Sequence, residues 1–169
     1  MLFFHITLTL FLLAVFYLDM TRYIIPNWIC GILLALYPVM LFMTPAMPQD
    51  HSILWAVGLC VIVFIFGIFI FAMKWAGGGD VKLLAVLALW TGKESTLEFV
   101  VYTGLLGGVL AIFLIMARPL VGRFTPVEKI DSIPRIFRDG EPLPYGLAIT
   151  TAFLILLWMG NIAGLPVTR

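Results

Sequence analysis

The sequence predicts an all-α polytopic membrane protein, a bundle of six transmembrane helices with both termini on the non-cytoplasmic side. Three observations carry that prediction. Of the 169 residues, 63% are hydrophobic, against roughly 45–50% in soluble domains. Only 11% are charged, where about 25% is usual, so too few polar side chains exist to coat a water-facing surface. The apolar residues also fall in long runs, most of them close to the ~20 residues that cross a bilayer. The same figures exclude a disordered chain. They also exclude an electrostatic nucleic-acid binder, because ten Lys+Arg against nine Asp+Glu leave a net charge of +1 and no basic surplus to displace counterions. A single transmembrane domain over residues 1–169 is expected, with the lipid bilayer as its solvent.

The first run, residues 2–18, has no basic residue ahead of it and no small-residue cleavage site. It reads as a retained span rather than a secretory signal. The second, 28–43, is opened by Pro26-Asn27, since proline suits a first helical turn, where its missing N–H would have no partner. The third, 53–73, runs into Gly77-Gly78-Gly79. The fourth, 81–92, is short: Val81–Trp90 reaches about 15 Å at ~1.5 Å per residue, half the hydrocarbon core. The fifth covers 99–116, and the sixth, 145–162, is opened by Pro144-Tyr145-Gly146. Between these two lies the polar segment 117–144. There Val121, Phe124, Val127, Ile130 and Ile133 recur every third residue, the pattern of a short helix lying in the interface. Pro126 and Pro134 break that pattern and equally fit a solvated loop.

Charge placement decides that the short fourth segment crosses. With six crossings, Arg22, Lys74, Lys82, Arg118, Arg123, Lys129, Arg135 and Arg138 share one side, and only Lys93 and Arg169 lie on the other. That asymmetry is what the positive-inside rule requires of a cytoplasmic face. Without the fourth crossing, the basic 117–144 loop would lie opposite Arg22, Lys74 and Lys82.

The acidic residues then single out two positions. Asp50, Glu94, Glu98, Glu128, Asp131, Asp139 and Glu141 fall in connecting segments, where a charge is solvated. Asp19 and Asp80 instead join long apolar runs. Spans one and three run in the same direction, so both carboxylates emerge at one cytoplasmic depth. Acids embedded in apolar segments are costly and usually functional. Two of them at one level are the minimum equipment of an aspartic protease, one ionised to take a proton from water and the other protonated to polarise the carbonyl. Asp80 precedes the fourth span, where the helix dipole favours an anion, and Asp19 closes the first, where it does not. The dipole therefore assigns the charge to Asp80 and the proton to Asp19, as a pair that titrates together. Gly77, Gly78 and Gly79 permit positive φ and close approach of another chain beside Asp80. No metal is expected: Cys30 and Cys60 read as buried small hydrophobes without a CxxC pair, and His5 and His51 lie on the opposite side.

Three blocks, Asp19-Met-Thr-Arg-Tyr-Ile-Ile-Pro-Asn27, Gly77-Gly-Gly-Asp80-Val-Lys-Leu-Leu-Ala85 and Pro144-Tyr-Gly-Leu-Ala-Ile149, resemble the type IV prepilin peptidases. These are membrane aspartic proteases with a GxGD motif, and the likeness is to the short branch that serves tight-adherence (Flp-type) pili. The resemblance implies removal of the short basic leader of a prepilin at the cytoplasmic face, without cofactor or metal, with Asp19 and Asp80 as the catalytic pair. Gly77, Gly78, Gly79, Pro26 and Asn27 then support the site, and Lys82 and Arg22 either meet the substrate or anchor the cytoplasmic side. Long members of the family carry a cysteine-bearing insert between the first two spans and also methylate the new pilin terminus. Here only Met20–Ile25 lies there, so peptidase activity alone is expected. The alternatives are an archaeal preflagellin peptidase, through the same motifs, and a small proton-coupled transporter or channel subunit. The latter calls for midplane carboxylates and matching halves, and no two halves of this chain match.

Overall fold

The computed structural model describes residues 2–43, 53–124, 134–138, 140–162 and 165. Among these there are helices and no strand. Helix α1 spans Leu2–Arg22, α2 Asn27–Met43, α3 Ile53–Ala72, α4 Gly78–Phe124 and α5 Tyr145–Met159, with a 3-10 turn at Arg135–Phe137. Three of them, α1, α3 and α4, are long and apolar enough to cross a membrane, while α2 and α5 are shorter apolar helices.

Each helix shows why it packs where it does. The buried residues of α1 are Phe4, His5, Leu8, Leu12, Val15 and Asp19. Apart from His5 they recur at three- and four-residue spacing, so they form one stripe along the helix. Asp19 is thus the last member of an inward-facing apolar stripe. In α2 the stripe is Ile29, Cys30, Leu33, Tyr37 and Met40. Helix α3 is different: only Ala56 and Gly67 are buried, and its apolar surface otherwise faces outward, as it does for a helix solvated by lipid. Helix α5 ends at Gly160, whose φ of 77° is a left-handed conformation that suits glycine. Asn161 N–H there donates to Leu156 O at 3.1 Å, closing the helix with a Schellman-type turn.

Helix α4 is two rods. Gly92 has φ 66° and ψ −170°, a region open almost only to glycine. In a straight helix Asp80 and Thr103 would lie about 35 Å apart, yet both line one cavity, so the chain doubles back at Gly92. The break is sealed by hydroxyls. Thr91 Oγ1 donates to Ala88 O at 3.0 Å and pairs with Thr96 Oγ1 at 2.8 Å, Thr96 Oγ1 also bonds Gly92 O, and Ser95 Oγ bonds Asn161 O. Gly92→Ala is therefore expected to destabilise the protein by about 1–3 kcal/mol through backbone strain. Thermal unfolding in detergent reads this directly, and an unchanged midpoint contradicts it.

Contacts between the rods set their directions. Asn27 and Leu33 of α2 bond Lys82 and Trp90 in turn, so α2 runs parallel to 78–91. Trp55 lies under Lys93 while Gly67 lies against Val81, so α3 runs the opposite way. Gly146 meets Asp19 and Trp158 meets His5 and Thr9, so α5 is antiparallel to α1. With α4 counted as two rods, consecutive rods alternate in direction. The core between them holds Leu8, Leu12, Ile29, Leu87, Phe99 and Phe153, all with no exposed surface, and Trp90, whose indole N–H donates to Leu33 O at 3.0 Å.

Several expected boundaries shift. The polar stretch 93–98 is helical rather than a loop, with Thr96 turned inward to the Gly92 carbonyl and Ser95 to the Asn161 carbonyl beyond α5. Residues 117–124 continue α4, so the connecting segment begins later than expected. The helix starting at Gly78 takes Gly78, Gly79 and Asp80 into its first turn, where 81 was expected to open it. The interfacial helix expected over Val121–Ile133 begins within α4, and its later part, like the loop holding Asp50 and His51, lies outside the described residues.

Candidate active site

One end of the bundle brings together the end of α1, the starts of α2, α4 and α5, and the segment before α5. Asp19 comes to it as the last inward residue of α1. That helix stops just beyond, at Tyr23, whose N–H donates to Asp19 O at 3.1 Å and whose φ of 55° turns the chain toward Ile25 and α2. The carboxyl of Asp19 is buried, with the residue 4% exposed. The first turn of α5 lies against it at Gly146, and Oδ2 is buried without a hydrogen-bond partner.

Asp80 enters from α4. It is the third residue of that helix, and its Oδ2 accepts the N–H of Gly77 at 3.0 Å. A carboxylate at this position reaching back to the residue that precedes the helix is half of a capping box. Asp80 is half-buried, and Ile25 links its helix start at Gly79 to Gly146, which lies against the Asp19 carboxyl. The site thus holds two acids that cannot both ionise cheaply. Two helix dipoles bear on the pair. Asp80 lies at the N-terminus of α4, but Asp19 meets the N-terminus of α5, so both carboxyls face the positive end of a helix.

The glycines act by closeness rather than by positive φ. Among the described residues Gly92, Gly140 and Gly160 have positive φ, and Gly77, Gly78 and Gly79 do not. A Cβ on Gly77 would stand 2.9 Å from Asp80 Oδ2, and one on Gly79 would stand 3.0 Å from Ile25 Cβ. At Gly146 the restriction is tighter than at either: a Cβ would stand 2.6 Å from Asp19 Oδ2 and 3.1 Å from Ile25 Cδ1. Ile25 is therefore a wedge held between Gly79 and Gly146, locking the three sequence blocks against one another. Neither Ile25 nor Gly146 is marked as a site residue by composition or charge. The available signal is topological, since Pro144-Tyr145-Gly146 opens a span at the depth of the aspartates.

The other expected residues divide. Lys82 Nζ donates to Asn27 Oδ1 at 3.0 Å, joining α4 to the start of α2, and Pro26 O accepts the N–H of Ile29 at 3.1 Å in the first turn of α2. These contacts are internal supports. Arg22 is exposed at the last turn of α1. The segment preceding α5 is pinned above the site by Arg118, whose guanidinium donates to Ile136 O at 3.1 Å, Glu141 O at 2.7 Å and Pro142 O at 3.0 Å. Arg135 pairs with the Glu141 carboxylate at 3.1 Å and lies over the Tyr23 ring at 5.4 Å. Among the described residues no group of three or more His, Cys, Asp or Glu side chains is placed to hold a metal ion.

The family model described as the type IV leader peptidase family matches residues 6–112. That match takes in both aspartates and more than half of the chain, and stops short of Gly146. No curated protein and no solved structure matches the chain. The chain belongs to the type IV leader peptidase family.

Proposed function

We propose that this member of the type IV leader peptidase family is an aspartic endopeptidase that removes the short basic leader from Flp-type prepilins at the cytoplasmic face of the inner membrane. The observation that carries the reading is the arrival of Asp19 and Asp80 at one end of the bundle, the first carboxyl buried against Gly146 and the second held by Gly77, with Ile25 wedged between the two helix starts. In this mechanism the pair holds one proton. The ionised carboxylate takes a proton from water as its oxygen bonds the scissile carbonyl carbon, and the protonated one donates to the carbonyl oxygen. Collapse of the tetrahedral species breaks the C–N bond, and a proton passes to the leaving amine. Water and two carboxyls suffice, so the reaction needs no metal or cofactor.

The alternation of six rods and the cluster of Arg22, Lys74, Lys82, Arg118 and Arg135 at the aspartate end support six crossings, with that end cytoplasmic. The substrate is then an apolar helix reaching the site laterally from the bilayer, its basic leader in the cytoplasm. The connection 23–26 between α1 and α2 has no room for a further domain, which supports peptidase activity without methyl transfer.

Co-expression with an Flp-type prepilin tests the reading, with mass spectrometry of the pilin as the readout. The expected product lacks its leader and carries an unmethylated N-terminus. Persistence of the full-length prepilin contradicts the peptidase assignment, and a methylated terminus made by this chain alone contradicts the restriction to peptidase.

A further inference from the structure

Helices α2 and α3 both pack on α4 and hardly touch each other. Between them lies a cleft of about 260 Å³, floored by Val86 of α4 and walled by Gly31 and Leu34 of α2 and by Val61 and Phe64 of α3. Leu34, Val61 and Phe64 are exposed, so the cleft opens sideways toward the bilayer. A Cβ on Gly31 would meet nothing within 4 Å, which leaves the space beside it unfilled. Lys82 is the one charged residue of the lining. Its ammonium carries three N–H donors. One goes to Asn27 Oδ1 at 3.0 Å, and among the described residues no carboxylate pairs with it. Trp28 and Trp75, exposed at the start of α2 and just beyond α3, mark this end of the cleft as headgroup depth.

We propose that this cleft binds an anionic phospholipid, its headgroup phosphate on the Lys82 ammonium and one acyl chain lying along Val86 between α2 and α3. Charge selects the occupant: an ammonium that no protein acid neutralises, at the mouth of an apolar cleft, complements a phosphate that carries an apolar chain. The direction also fits. With α2 parallel to 78–91 and α3 opposed to it, the cleft runs along the helix axes from Lys82 toward the bilayer centre, headgroup outermost. Packing holds the chain, since moving from lipid into the cleft hides no surface from water. A cavity of about 150 Å³ accepts a benzene ring, so this one has room for a longer stretch of hydrocarbon. A transmembrane helix, about 10 Å across with its side chains, is too wide for it. Neither aspartate lines the cleft, so the lipid site does not depend on the peptidase reading.

The full-length protein in detergent is titrated with phosphatidylglycerol or phosphatidylcholine, and the first bound lipid is followed by native mass spectrometry. Wild type is expected to bind phosphatidylglycerol about fivefold more tightly, the worth of one basic side chain at a lipid surface. Lys82→Gln is expected to bring the two lipids level, and Lys82→Arg to keep the preference. Gly31→Phe and Val61→Trp, which fill the cleft from either side, are expected to weaken phosphatidylglycerol binding by a similar factor, with unfolding midpoints within a few degrees of wild type. Equal binding of the two lipids by wild type overturns the site. So does a preference that survives Lys82→Gln, or phosphatidylglycerol binding that neither filling variant weakens. Filling variants that raise the KM for a prepilin while leaving lipid binding unchanged assign the cleft to the substrate helix and overturn the lipid site.

Discussion

Asp19→Asn and Asp80→Asn are each expected to lower leader cleavage by about 10⁴-fold or more, the scale seen when one member of a catalytic set is removed. Asparagine keeps the size of each side chain and can still hydrogen-bond, so the helix ends are preserved. What it removes is the ability to hold or release a proton. At Asp80 the Gly77 N–H contact at 3.0 Å is retained by the amide oxygen, and at Asp19 the amide fills the same space against Gly146. Unfolding midpoints within a few degrees of wild type are therefore expected alongside the loss. Cleavage within tenfold of wild type by either variant contradicts the assignment.

Gly146→Ala is the second large effect, and it acts without touching a charge. The added carbon would stand 2.6 Å from Asp19 Oδ2 and 2.8 Å from its Cγ, a separation that atoms do not tolerate. Either α5 or the carboxyl must move. Ile25 blocks the simplest shift, since it already fills the space beside that position at 3.1 Å. A displacement of about 1 Å in a catalytic group costs on the order of 10²-fold in rate, and that is the loss expected in kcat. Gly104→Ala is the matched control, because nothing lies within 4 Å of a Cβ there. Steady-state cleavage of a prepilin by the two variants checks the comparison, and equal activities contradict the packing account.

Much of this arrangement is legible in the chain before folding. Phe4, Leu8, Leu12, Val15 and Asp19 form the buried stripe of α1, but that run is apolar all round, so the sequence marks Asp19 by its charge at the end of an apolar span and not by spacing. Asp80 is readable because its neighbours are glycine and aliphatic residues. Other parts are set by tertiary contact and leave no periodic trace. Residues 93–98 have the composition of a loop, yet they form a helix whose hydroxyls bond inward, Thr96 to the Gly92 carbonyl and Ser95 to that of Asn161. Three glycines in a row suggest a strained turn, whereas Gly77 and Gly79 are needed for what approaches them. Ile25 looks like any aliphatic residue until Gly79 and Gly146 close on it from two sides. The reading of 117–124 as part of a polar loop fails for a similar reason. Arg118 gives that stretch a charge, but its guanidinium is spent on the carbonyls of Ile136, Glu141 and Pro142, and the backbone around it stays helical.

The central claim is that Asp19 and Asp80 act as one unit, and a double substitution tests it most directly. Cleavage rates are compared for Asp19→Asn, Asp80→Asn and the two combined, under identical conditions with one prepilin. Members of a single catalytic unit are grossly non-additive, so the double variant is expected to be no slower than the worse single one. Losses that multiply, each substitution cutting the rate by its own factor in the presence of the other, would contradict a shared site.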